Sequence, residues 1–159
     1  MPRPLAALTA LFLALSTALP AMAEMAPRAG WAVLKSGKPY AQLVDDAKAA
    51  AKAKGMAIVT QAGPTGAAKR RGITIPGNRV LGIFNNVFAV DILNLSTAAM
   101  IEAPLRLYVT ENADGTATLS YKSPSIVFAP YEDEGGEALA KLASELDGIF
   151  ATIASDAVD

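Results

Sequence analysis

The sequence predicts an α+β fold, helices packed on a mainly antiparallel sheet, in the order β-α-β-α-β-α-β-β-α. Three observations carry that prediction. Residues 105–110 and 117–122 alternate apolar and polar side chains on either side of Asn112, Ala113, Asp114 and Gly115, which is hairpin chemistry. Three earlier apolar segments are separated by stretches with helical spacing. Residues 137–157 place Leu139, Leu142, Ala143, Leu146, Phe150 and Ile153 on one face of a long terminal helix.

The elements follow in order. Residues 5–19 hold no charge, Arg3 precedes them, and Ala21, Met22 and Ala23 end the run. That is the pattern of a cleavable secretory signal peptide over residues 1–23, too short an apolar run to span a bilayer comfortably. Residues 24–30, rich in small residues and Pro, are expected to form a flexible arm, and residues 31–159 a single domain. Residues 31–36 alternate as a strand, with Trp31, Val33 and Lys35 on one side and Ala32 and Leu34 on the other. Pro39 suits the first helical position, and residues 40–54 read as a helix with a narrow stripe of Leu43, Ala47, Ala50 and Ala51, stopped by Gly55.

Residues 56–61 form the next strand. Gly63 and Pro64 turn the chain into a short helix over residues 65–71, ended by Gly72. Residues 79–84 are almost wholly apolar, as a central strand would be. Asn85 or Asn86 then caps a helix whose Phe88, Ile92, Leu95 and Ala99 fall at helical spacing, so it is expected to reach about Ile101 before Pro104. In the hairpin, a loop of Ala113, Asp114 and Gly115 pairs Val109 with Leu119 and Leu107 with Tyr121, apolar against apolar.

Composition excludes several chemistries. The whole chain has no cysteine and no histidine. Disulfides, thiolate nucleophiles, Ser-His-Asp triads and His- or Cys-ligated metal sites are therefore out of reach. Without the leader and its Arg3, 13 basic and 15 acidic residues remain, and this weak negative balance offers nothing to nucleic acid. No cofactor or metal is expected, and no second long apolar run follows the leader. The chemistry left rests on carboxylates, Lys, Arg, Tyr, Asn and backbone.

Four pieces resemble the domain-of-unknown-function 302 family. They are Ser36 with the helix that runs to Gly55 and Met56; Ala68, Lys69, Arg70, Arg71 and Gly72 before an apolar strand; Ile83, Phe84, Asn85 and Asn86; and Ala103, Pro104 and Leu105 through Val109, Asp114, Gly115 and Tyr121 to Pro124. The likeness spans roughly residues 31–154. It implies a compact α+β domain and no established activity. Two departures bear on function. Many members carry a histidine near the position of Gly63 or Pro64, and the family's usual Phe-Gly-Asn-Pro has Asn85 and Val87 here in place of Gly and Pro.

Four clusters are candidates for function. Lys69, Arg70 and Arg71 could hold an anion, but cations in the last helical turn before Gly72 answer the helix dipole. Glu132, Asp133 and Glu134 lack the alternating spacing of a calcium loop and suit the first turn of the last helix. Asn85, Asn86 and Asp91 lie where a buried strand hands over to a helix, a place where ligand-binding groups gather, although one Asn can serve simply as the cap. Arg106, Tyr108 and Lys122 share a hairpin face, and the expected register sets Arg106 against Lys122. That like-charge pair is unfavourable without an anion or acidic partner, so the face is either an anion site or interface, or an ordinary exposed surface.

The function expected is that of a periplasmic or secreted, non-catalytic domain that binds a small ligand or a protein, a second copy of itself included. The alternative is a small hydrolase or isomerase using Asp91 or Glu102 as acid or base. On one helix those two would stand about 16 Å apart, too far for a glycosidase pair.

Overall fold

The computed structural model describes residues 25–159; the expected leader lies outside the described residues. The elements are β1 (Trp31–Pro39), α1 (Tyr40–Ala53), β2 (Ala57–Ala62), α2 (Thr65–Arg70), β3 (Asn78–Phe84), α3 (Asn86–Leu95), β4 (Leu105–Glu111), β5 (Thr116–Lys122), α4 (Pro124–Phe128) and α5 (Glu132–Val158), with 3-10 turns at Ala99–Glu102 and Ala129–Tyr131. The five strands form one sheet, in the order β1-β5-β4-β3-β2, with every neighbouring pair antiparallel. The α+β class read from the sequence is that of the structure, and the element order matches apart from the short helix α4.

One sheet face makes the core. Leu81 and Ile83 of β3, Leu107 and Val109 of β4, and Ala117, Leu119 and Tyr121 of β5 are all buried there. Over them lie α1, through Leu43, Val44, Ala47 and Ala51, and α5, through Leu139, Leu146, Phe150 and Ile153. The two helices also pack on each other. Ala47 and Ala51 of α1 and Ala143, Ala154 and Ala157 of α5 are almost wholly buried, and small side chains let helix axes approach closely. The other face carries Trp31, Val33 and Lys35 of β1, Thr118 and Ser120 of β5, Arg106 and Tyr108 of β4, and Asn78 and Val80 of β3, as the strand registers require.

Four differences from expectation have physical causes. First, α3 ends at Leu95, because Ser96 turns extended (φ −153°, ψ 117°) and its Oγ accepts the Ala99 N–H at 3.0 Å, starting a separate 3-10 turn. Second, β3 is an interior strand between β4 and β2, while β4 occupies the middle of the sheet. Third, a short helix, α4, follows the hairpin, with Pro124 at its start. Fourth, α5 begins at Glu132, with a break at Gly136 (φ 57°, ψ −154°) just before the expected start. The segment before β1 is tied down at its end: the Trp31 N–H donates to the Arg28 carbonyl at 3.2 Å and the Ser123 N–H to the Gly30 carbonyl at 2.9 Å.

Candidate functional site at a splay in the sheet

The corner after β3 is built as a cap. The Asn85 Oδ1 accepts the Val87 N–H at 2.9 Å and the Phe88 N–H at 3.4 Å, while its Nδ2 donates to the Gly55 carbonyl at 3.0 Å. Its amide is thereby used on both sides. Asn86 and Asp91 are exposed. The cavity beneath this corner measures about 30 Å³, is lined by Met56, Ile83, Phe88, Phe128 and Phe150, and touches Asn85 alone of the three candidates. That volume suits about one water, and the apolar lining offers it few partners.

A larger space opens at the far end of the hairpin. The β4–β5 ladder runs from Glu111–Ala117 through Val109–Leu119, as expected, to Tyr108–Ser120. Beyond that pair each strand keeps only its outer neighbour. Gly82–Arg106 and Ile83–Leu105 still join β4 to β3, and Ala32–Tyr121 and Trp31–Lys122 still join β5 to β1. The expected pairs Leu107–Tyr121 and Arg106–Lys122 fall outside the ladder. Two cations facing each other across a closed ladder would repel, and here the strands part before that pairing is reached.

The parting leaves a cavity of about 370 Å³, lined by Leu105, Arg106, Tyr108, Tyr121 and Lys122 from the two strands, with Trp31, Asn78, Val80, Glu102 and Val127 around them. It contains Arg106, Tyr108 and Lys122 together. Lys122 leans toward β1, its Nζ 5.8 Å from the centroid of the Trp31 ring, and the Arg28 guanidinium lies 5.2 Å from the same ring. The Asn78 amide donates to the Tyr108 hydroxyl, leaving that hydroxyl its own proton to give. A third cavity of about 200 Å³, lined by Ile75, Pro76, Thr110 and Glu111 among others, shares Asn78 and Tyr108 with the splay cavity.

The walls are held from below. Glu102 ends the 3-10 turn and accepts the Tyr131 hydroxyl at 2.8 Å. That bond, with some desolvation, raises the Tyr131 pKa above the ordinary phenol value. Ser96 donates to Glu134 at 2.6 Å, pinning the turn to the start of α5. Val127 stands on α4, whose second residue, Ser125, donates its N–H to Asp147 at 3.0 Å.

Nothing local in the sequence joins Trp31, Asn78, Glu102 and Val127 to this group. They come from elements far apart in the chain, and only the strand order gathers them. The like-charge pair of Arg106 and Lys122 was the one local signal. Asp91, on the exposed side of α3, lines none of the three cavities, whereas Glu102 lines the largest. The two carboxylates of the alternative enzyme reading are therefore not brought into one cleft.

Among the described residues, no helix is long and apolar enough to cross a membrane. No curated protein matches the chain. Its fold is similar to the crystal structure of an uncharacterised conserved DUF302 protein from Bacillus stearothermophilus, at a TM-score of 0.72 and 16% identity, over 81% of this chain and 98% of that one. Residues 32–153 match the family described as domain of unknown function DUF302, and the chain belongs to that family.

Proposed function

We propose that this protein is an exported, non-catalytic binding domain that takes a small ligand in the splay between β4 and β5. One observation carries the reading: a cavity of about 370 Å³ that joins two cations, one carboxylate, three aromatic rings and apolar side chains. Convergent polar groups on a mostly apolar concave surface are what a small-molecule site requires. Export rests on the leader pattern of residues 1–23.

Two measurements test this. Expressed in a bacterium, the full chain should be recovered from the periplasm or medium with a mass that begins at Glu24; cytosolic protein retaining Met1 would refute export. For binding, Trp31 is the only tryptophan in the sequence and it lines the cavity, so a ligand seated there must perturb its indole signal. A broad fragment screen that leaves the indole N–H resonance unmoved would refute the site. A protein partner or second copy docked on the same face would instead show as a larger mass in light scattering, with Arg106 and Tyr108 protected.

A further inference from the structure

We infer that the ligand of the β4–β5 splay is a monoanion with a flat, ring-bearing apolar body, such as an aromatic carboxylate; the inference rests on the cavity being the binding site. Charge argues first. The lining holds Arg106 and Lys122 as cations and Glu102 as a carboxylate, a formal balance of one positive charge. A single negative charge completes it. A second would sit against Glu102, one of whose oxygens is already engaged by Tyr131.

Shape argues next. Trp31 and Tyr108 offer ring surfaces, and the half-buried Val80 and Val127 offer aliphatic ones, so a ring can stack and be desolvated at little conformational cost. Arg106 and Lys122 are exposed, so the charged group of the ligand can stay at the wet rim. Volume agrees, since about 370 Å³ equals roughly a dozen waters at ~30 Å³ each, the scale of a fused two-ring acid. The parted strands contribute too. Backbone edges that have left a ladder present N–H and C=O groups to whatever enters the gap.

The experiment is a titration followed by the single indole N–H resonance and by calorimetry. The probes are 2-naphthoate, its neutral carboxamide, naphthalene-2,6-dicarboxylate and inorganic phosphate. The expected result is saturable binding of 2-naphthoate, with the carboxamide at least about tenfold weaker, as loss of one charge-assisted contact implies. Lys122→Met and Arg106→Met should each weaken 2-naphthoate about tenfold without changing the circular dichroism spectrum, both residues being exposed. Glu102→Gln should shift preference toward the dicarboxylate. Equal affinity for the carboxamide, or a wild-type preference for the dicarboxylate or phosphate, would overturn the monoanion class while leaving the cavity as a site. Silence of the indole toward every probe and toward a general fragment set would overturn both.

Discussion

Asp147, on α5, accepts the Ser125 backbone N–H at 3.0 Å, so one helix supplies the N-terminal cap of another. The residue before α4, Ser123, makes no side-chain cap of its own. An orphan N–H at a helix start needs an acceptor, and here it comes from 22 residues downstream. Because α4 carries Val127 into the cavity wall, this bond links the last helix to the candidate site.

Asp147→Ala should therefore cost about 1 kcal/mol of stability, the usual worth of a lost cap. Chemical denaturation measures that loss. Hydrogen exchange should also quicken at the α4 amides before the sheet amides respond, because the lost bond is local. Unchanged protection in α4 would show that the cap does not hold the wall.

The same aspartate bears on alkaline stability. Tyr121 has its pKa raised above the ordinary value of 10.0, first by desolvation and then by the negative charge of Asp147. Its ring packs on Phe150 at 5.6 Å, which keeps the phenol in an apolar setting. A folded-state pKa above the unfolded one means the fold holds the proton more tightly. The stabilisation is complete below pH 10 and falls away as pH rises through the folded value. Melting temperature should accordingly drop above about pH 10 in the wild type, more steeply than in Tyr121→Phe. Parallel pH profiles for the two proteins would contradict this.

Two neighbouring hydroxyls on β5 should behave oppositely. Thr118 and Ser120 are both fully buried. Thr118 donates to the Asn112 Oδ1 at 2.9 Å, within a loop network that also joins Thr116 and Asp114. Ser120 Oγ has no partner among the described residues. Removing a paired buried group strands its acceptor, whereas removing an unpaired one relieves a desolvation cost. Thr118→Val should lose about 1 kcal/mol and Ser120→Ala should lose nothing or gain slightly, read from urea midpoints.

Local chemistry explains which parts of this molecule could be read from the sequence. The hairpin register is set by period-two alternation and by Asp114 and Gly115, so Val109 opposite Leu119 follows from neighbours in the chain. The cap at Asn85 is equally local. The stop at Ser96 is not visible as a breaker, because a serine side chain replaces the helical bond without any Pro or Gly. The site is the least legible part. Trp31 meets Lys122 only because β1 closes the sheet beside β5, and strand order depends on contacts far apart in sequence.

The parting of β4 and β5 carries the final prediction. If repulsion between Arg106 and Lys122 helps keep these strand ends apart, reversing one charge should draw them together. Arg106→Glu converts a like-charge cross-strand pair into an opposite-charge one, a change worth roughly 0.2–1 kcal/mol on an antiparallel pair. The variant should extend the ladder past Tyr108–Ser120 to positions 106 and 122, the next pair whose amides face the gap, and hydrogen exchange at those two amides should slow. It should also melt at a slightly higher temperature while the Trp31 indole loses its response to 2-naphthoate. Lys122→Glu serves as the mirror test, although it also removes the cation from the Trp31 ring, so its stability gain should be smaller. If both variants leave exchange at the amides of positions 106 and 122 untouched, the splay is held open by Val127 and Glu102 beneath it, and charge has no part in its shape.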